Sequence, residues 1–179
     1  MTQHMTSLHL VPAQEADLGR YIDLLEEVAD WLESRGIEQW RSGDFCRAAA
    51  FYAESIRQGE VQLALFDAEL VGTLRVLVRE PIVWPDIVED DAVYVYTLAV
   101  RRGWRAHGFG GQMLQWAAER AVLFGRRFVR LDCMASNPFL AEYYVRAGFT
   151  ERGEIDALFP PPVGTLRLKR YEKSVGPMK

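Results

Sequence analysis

The residues best suited to chemistry form a glycine-rich turn, Arg105-Ala106-His107-Gly108-Phe109-Gly110-Gly111. Glycine permits backbone angles at which several N–H groups converge on one anion without obstruction from Cβ atoms. A helix is predicted directly after the turn, and its unpaired N–H groups and positive dipole end attract anions. The turn therefore predicts a pyrophosphate site, although the same glycines could serve only to reverse the chain.

Two familiar phosphate-binding loops are excluded by their spacing. The pattern G-x-x-x-x-G-K-[ST] is absent, so the chain is not a P-loop NTPase. Gly108 and Gly110 begin the dinucleotide pattern G-x-G-x-x-G, but position 113 is Met113. The turn must therefore belong to another kind of phosphate site.

Hydrophobic periodicity predicts the elements that position this turn. Helices are expected at 13–35, 45–58 with Asp44 as N-cap, 110–124 and 137–147. Strands are expected at 7–11, 61–66, 70–79, 92–100, 128–133, 149–154 and 166–171. The order predicts one α/β (α+β) domain over residues 1–173, with a frayed tail at 174–179. Its sheet should be mostly antiparallel, because only the strand–helix–strand unit around the turn requires a parallel pair.

Composition narrows the class of protein. Hydrophobic residues make up 49% of the chain and charged residues 26%, an ordinary globular balance. Cys46 and Cys133 form no spaced pair and the histidines show no ligand spacing, so neither a disulfide framework nor a metal site is expected. A net charge of −4 lacks the basic excess of a nucleic-acid binder. With no apolar span and no signal peptide, no membrane partner is expected and the cytoplasm is the predicted compartment.

Two motifs together resemble the GNAT N-acetyltransferases. Arg105 to Gly110 (R-A-H-G-F-G) matches that family's R/Q-x-x-G-x-G/A signature, which also follows a strand. Asn137 to Phe149 matches its second signature, N-x-x-[AL]-x-x-x-Y-x-x-x-G-F, with Leu140 at the fourth position. The resemblance implies a GNAT-like fold with a mixed twisted sheet, one splayed parallel strand pair and helices on both faces.

The resemblance also implies acetyl-CoA as the acyl donor. Its pantetheine arm would lie along the end of the strand before the turn, at Leu98, Ala99 and Val100. Its pyrophosphate would lie on the N–H groups of Arg105, Ala106, His107, Gly108, Phe109, Gly110 and Gly111. Asn137 would contact the CoA arm, or would only cap its helix.

Tyr144 matches the family's usual general acid, which faces the departing sulfur; the alternative is a tyrosine packed in the core. The family often places a carboxylate base on the strand before the turn, but this strand carries Tyr94, Tyr96 and Thr97 instead. The acidic run 89–91 could act as the base through water or be solvated surface. The base therefore stays open.

The acceptor of this family usually lies between the first two helices, their loop and a late loop. Trp40 and Arg41 fall in that loop and are candidate acceptor contacts, together with Tyr94 and Tyr96; tryptophans can equally be core residues. We expect direct acetyl transfer to the primary amine of a small molecule. A protein N-terminus or lysine as acceptor, or a non-catalytic CoA-sensing module, are the alternatives, and the family allows a homodimer.

Overall fold

A computed structural model of the protein describes residues 7–176. The strands are β1 His9–Pro12, β2 Val61–Phe66, β3 Glu69–Leu77, β4 Ala92–Val100, β5 Phe128–Met134, β6 Thr150–Phe159 and β7 Gly164–Ser174. The α-helices are α1 Leu18–Ser34, α2 Asp44–Arg47, α3 Ala49–Arg57, α4 Phe109–Leu123 and α5 Pro138–Arg146. Short 3-10 turns at Glu15–Asp17 and Arg102–Trp104 precede α1 and α4.

The described strands form one sheet in the order β1-β2-β3-β4-β5-β7-β6. Only β4 and β5 are parallel, and the other neighbours are antiparallel. Helices α4 and α5 pack their buried residues on one face, and α1, α2 and α3 cover the other. This arrangement confirms the predicted mixed sheet. Within residues 7–176, no helix has the length and apolar character that a membrane crossing needs.

The predicted second helix, 45–58, is in fact two helices. It breaks at Ala48, where the backbone leaves helical geometry (φ −96°, ψ 16°), because α2 and α3 each turn a separate apolar side chain into the core, Phe45 and Ile56. Asp44 was wrongly predicted as the N-cap. It is the first helical residue, and its carboxylate accepts the N–H of Arg41 at 3.3 Å instead.

The last two strands are longer than predicted. Alternation continues through Ile155 to Phe159 in β6, and β7 pairs with it from Gly164. Ser174 still pairs with Phe128, and the N–H of Val175 donates to the carbonyl of Arg127 at 2.8 Å. Residues 177–179 of the predicted tail, like residues 1–6, lie outside the described part of the chain.

A buried ion network holds β4, β5 and β7 together at one end of the parallel pair. Arg130 on β5 is only 2% exposed. It donates to Glu172 on β7 at 2.7 Å, to Asp91 before β4 at 2.9 Å and to the Tyr94 hydroxyl at 3.2 Å. Because each of these groups loses water on burial, the bonds are needed to offset that cost. The network lies at the end where the two parallel strands are paired.

Candidate active site

The parallel strands β4 and β5 separate part of the way along their length. They pair at Ala92↔Phe128, Val93↔Val129 and Tyr94↔Arg130. Beyond the last pair β4 continues to Val100 and β5 to Met134 without further pairing between them. Backbone groups on these facing edges are therefore open to another extended chain, as at the edge of a sheet.

A β-bulge in β4 lies beside this gap. Two residues, Thr97 and Leu98, lie opposite Leu74 alone on β3. Thr97 has a positive φ of 46°, which is rare and strained for a β-branched residue. Its hydroxyl lies 3.4 Å from the Tyr21 hydroxyl on α1. The bulge shifts the alternation of β4, so that Tyr96 and Ala99 share the face covered by α1.

The predicted phosphate turn lies directly beyond β4. Glu27 on α1 fixes its start by accepting from the Arg101 guanidinium at 2.5 Å and from the Arg102 N–H at 2.8 Å. Gly108 has a positive φ of 71° and precedes the first residue of α4. Within the described residues, the N–H groups of Gly108 to Gly111 have no hydrogen-bond acceptor. The turn therefore offers a set of free donors at a helix N-terminus, as an anion site requires.

Aromatic side chains pack around the turn. Trp104 contacts Phe66 and Phe109, with ring centroids 5.4 and 5.8 Å apart, and its indole N–H donates to Glu69 at 3.1 Å. His107 stacks on Phe109 at 5.6 Å. The predicted cofactor residues differ in exposure to solvent. Leu98 and Val100 are half-buried on the α4 face, and Ala99 is buried against α1. The exposed ones are Arg105, Ala106, His107, Gly108 and Gly111.

Tyr144 on α5 lies on the α4 face of the sheet. It is 5% exposed and packs against Phe149 and Tyr171, with ring centroids 6.0 and 5.6 Å away. In the described part of the chain its hydroxyl has no hydrogen-bond partner. Burial, followed by the nearby Cys133 and Asp132, raises the pKa of Tyr144 well above its ordinary value. The phenol is therefore a neutral donor throughout the physiological pH range.

Tyr143 also lies at the turn, which the sequence motif did not suggest. A Cβ added to Gly110 would meet the Tyr143 hydroxyl at 2.5 Å and Val100 Cγ2 at 4.0 Å. These residues therefore meet where the gap opens onto the turn. The only sequence signal is the spacing of Tyr143 next to Tyr144, and it places Tyr143 on a different side of α5.

Asn137 and the loop between α1 and α2 meet beyond the end of β5, at the open end of the gap. The side-chain oxygen of Asn137 accepts the N–H of Leu140 at 3.2 Å and so caps the start of α5. The side-chain NH2 of Asn137 donates to Gln39 at 3.2 Å. Gln39 also accepts the backbone N–H of Met134, the last residue of β5, at 3.0 Å. The loop is thus tied across the end of β5.

The four candidate acceptor residues lie in different environments. Trp40 is half-buried and packs edge-on against Phe45 at 5.1 Å, whereas Arg41 is exposed. Tyr94 is 5% exposed inside the Arg130 network, at the paired end of the strands. Tyr96 lies two residues further along β4, just beyond the last strand pair. Its buried hydroxyl has no hydrogen-bond partner among the described residues.

The site therefore combines a separated parallel strand pair, a β-bulge and a turn whose backbone N–H groups, from Gly108 to Gly111, are free in the described part of the chain. Residues 25–149 match the family model described as Acetyltransferase (GNAT) family. This chain belongs to that family and is an N-acetyltransferase.

Known proteins resemble the chain over most of its length. A curated relative, the uncharacterized N-acetyltransferase YesJ of Bacillus subtilis (strain 168), is 31% identical over 147 residues, covering 79% of this chain and 81% of YesJ. A GNAT-family acetyltransferase structure from Listeria monocytogenes 4b F2365 superposes with a TM-score of 0.77 at 25% identity, over 97% and 98% of the two chains. YncA of Salmonella typhimurium, a structure with its cofactor acetyl-CoA, has the same fold, with a TM-score of 0.64 and 14% identity over 97% and 96%.

Proposed function

We propose that this chain transfers the acetyl group of acetyl-CoA to the primary amine of a small molecule, by direct attack in a ternary complex. The observation that carries the proposal is the continuity of the gap between β4 and β5 with the free N–H groups of Gly108 to Gly111. The pantetheine arm of CoA is extended and pyrophosphate terminates it, so one ligand matches both features. The acetyl-CoA bound to YncA, which has this fold, supports the choice of donor.

In this proposal each part of the site has one task. The edge of β4 at Leu98, Ala99 and Val100 binds the arm, and the turn binds the pyrophosphate with its backbone N–H groups. A backbone N–H near Leu98 polarises the acyl oxygen, as an oxyanion hole does. Tyr144 donates a hydrogen bond to the departing sulfur. Asn137 holds the start of α5, and its capping bonds favour this positioning task over direct CoA contact.

The loop between α1 and α2 supports a small acceptor. Gln39 joins the end of β5, and the Ser136 hydroxyl donates to Glu38 at 2.7 Å, so the loop restricts access to the gap from that side. A slender amine passes such an entrance more readily than a folded protein surface. Cys46 and Cys133 are both free thiols, which fits the reducing cytoplasm as the compartment.

Calorimetry of acetyl-CoA binding, with Gly110→Trp as the variant, tests the pyrophosphate site. We expect the unaltered protein to bind with a micromolar Kd, about −8 kcal/mol. An indole at position 110 would fill the space between the turn and the Tyr143 hydroxyl, so Kd should rise by at least about tenfold (~1.4 kcal/mol).

Gln115→Trp, an exposed position one turn later on α4, is the matched control and should leave Kd unchanged. Absence of heat with the unaltered protein would reject the proposed function. Equal affinities for both tryptophan variants would place the pyrophosphate elsewhere.

Trp40→Ala tests whether the α1–α2 loop contacts the acceptor. Loss of one aromatic contact of about 1 kcal/mol should raise the acceptor KM about fivefold, with acetyl-CoA affinity retained. Trp116→Ala on α4, whose ring lies 4.9 Å from the Arg120 guanidinium, is the control and should change neither constant. A rise in the acetyl-CoA KM alone would contradict the assignment of Trp40.

Thiol release measured across a panel of amines and peptides separates transfer to small molecules from transfer to proteins and from CoA sensing.

A further inference from the structure

Asp132 and Tyr96 are the first side chains beyond the last strand pair on the face of the sheet opposite α4. Tyr94 and Arg130 form the last strand pair, and their hydroxyl and guanidinium bond on the face that carries Trp84. Side chains alternate along a strand, so two residues further on Tyr96 and Asp132 project to this same face. Tyr144 and Cys133 lie on the opposite face, among the residues packed against α4.

Asp132 has no bound partner at this position. Among the described residues, no hydrogen bond or ion pair reaches its carboxylate, although the residue is half-buried. Arg170 is its cross-strand neighbour on β7, but that guanidinium donates to Asp86 at 2.5 Å and to the Val83 carbonyl at 3.4 Å. The terminal nitrogens of this cross-strand cation are therefore engaged elsewhere, its buried Nε has no partner within residues 7–176, and it forms no ion pair with Asp132.

A second carboxylate and an unpartnered hydroxyl face the same space. Glu80, in the loop after β3, is 9% exposed and is fixed by the N–H groups of Ile82 and Val83 at 2.7 and 3.1 Å. Burial, the nearby charges of Asp132 and Glu80 and a contact with the Glu80 carboxylate raise the pKa of Tyr96 well above its ordinary value. That contact lacks the geometry of a hydrogen bond, so the buried hydroxyl has no well-formed partner among the described residues. Buried polar atoms without well-formed hydrogen bonds are rare, and a catalytic role or a bound ion or water is among the explanations for them.

The cations near this space are held by other partners. Arg75, opposite Tyr96 on β3, pairs with Glu60 at 3.2 Å, and its guanidinium lies between the rings of Tyr96 and Phe51 at 5.6 and 4.9 Å. Two carboxylates, Asp132 and Glu80, thus lie near each other, and neither forms an ion pair among the described residues. A positively charged ligand would restore the balance.

We infer that Asp132 is the proton acceptor of the transferase and that the acceptor enters on this face as a primary ammonium ion. The inference rests on the proposed function. Asp132 takes one proton from the ammonium, and the freed lone pair attacks the thioester carbon. The C–N bond forms while the carbonyl electron pair moves to oxygen, and its return breaks the C–S bond. The second N–H proton ends on the CoA sulfur, beside Tyr144, and Asp132 releases the first to solvent.

The electrostatic environment suits this task. Burial and the charge of Glu80 raise the pKa of Asp132 to about 7. An acceptor near neutral pH is a stronger base than an ordinary aspartate yet still ionised in half or more of the molecules above pH 7. The charge of Asp132 also contributes to the raised pKa of Tyr144 on the opposite face of the sheet.

The test compares Asp132→Asn with the unaltered enzyme by the pH dependence of kcat/KM for an alkylamine at saturating acetyl-CoA. For the unaltered enzyme, kcat/KM should be half-maximal near pH 7 and reach a plateau above about pH 8. The variant can use only amine that is already neutral, so its kcat/KM should climb about tenfold per pH unit towards the amine pKa of about 10.4. We expect a deficit of about 10²–10³ at pH 7.5 that narrows at pH 10, with the acetyl-CoA Kd unchanged.

Two further variants sharpen the result. Glu80→Gln keeps an oxygen that accepts from the loop N–H groups but removes the negative charge. The pKa of Asp132 should then fall, and the rise of kcat/KM with pH should occur at lower pH. Asp67→Asn, in the exposed turn between β2 and β3, is the matched control and should leave the profile unchanged.

Thermal unfolding checks the same carboxyl without substrate. The folded pKa of Asp132 lies above the unfolded value of about 3.9, so the unaltered protein loses stability as pH rises from about 4 to about 7. Asp132→Asn removes that loss, and its Tm should exceed that of the unaltered protein at pH 8 but not at pH 4.

The outcomes separate this inference from the proposed function. An Asp132→Asn enzyme that keeps kcat/KM within threefold and retains the acid limb would overturn the inference while acetyl transfer stands. Acetyl-CoA binding without transfer to any amine in the panel would overturn it as well. If the unaltered protein binds no acetyl-CoA, both the inference about Asp132 and the proposed function are wrong.

Discussion

Replacing Tyr144 with phenylalanine should lower kcat by about 10²–10⁴ and leave acetyl-CoA affinity nearly unchanged. The departing thiolate has a pKa near 8.5, so a tyrosine near 10 is already about 2 kcal/mol too weak an acid to give up its proton. Burial in this site raises the pKa of Tyr144 further. A hydrogen bond that stabilises the thiolate, without full transfer, is therefore the expected action. For the same reason, Tyr144 should produce no falling limb in the rate below about pH 10.

Single-turnover thiol release at saturating acetyl-CoA measures this effect directly. Tyr171→Phe is the matched control, because it removes a hydroxyl from a buried ring 5.6 Å from the Tyr144 ring, on β7. It should keep kcat within about fivefold. A Tyr144→Phe enzyme with an unchanged rate would leave the ring only a packing role.

Much of the fold could be predicted because local signals and tertiary structure agree. The apolar spacing of α1 ends at Gly36, whose φ of 65° allows the N–H of Ile37 to reach the Leu32 carbonyl at 3.0 Å. Gly125 and Gly148 end α4 and α5 with the same left-handed geometry. The break at Ala48 could not be predicted, since a run of alanines favours a continuous helix and only the packing of α2 and α3 interrupts it.

The site was less accessible to prediction where its geometry comes from the backbone. The glycines of the phosphate turn are visible in the sequence, but the bulge at Thr97 is not, because a β-branched residue is the least expected one at positive φ. Asp132 was missed because it follows Leu131 in an apolar strand that was predicted to be buried as a whole. Its significance depends on where β4 and β5 part, and no local pattern encodes that point. The strand order does predict that these two strands are neighbours.

Arg130→Met should lower the free energy of unfolding by about 3 kcal/mol, the lower end of the range for breaking a buried ion pair. Methionine fills much of the same volume, but it leaves Glu172 and the Tyr94 hydroxyl without their buried donor. Glu172 keeps a longer contact, 3.4 Å, to Arg152, so the loss stays below the maximum. Urea unfolding should show a lower midpoint at an unchanged slope.

Arg167→Met on β7 is the matched control, because its ion pairs with Glu154 and Asp156 are largely exposed and should contribute less than about 1 kcal/mol. The same experiment bears on the site, since the Arg130 network marks the last point at which β4 and β5 pair. If that network positions the gap, Arg130→Met should also weaken acetyl-CoA binding under conditions where the variant is folded. Equal losses of stability in the two variants would mean that the buried network contributes no more than a surface pair, and the paired end of the strands would then depend on apolar packing instead.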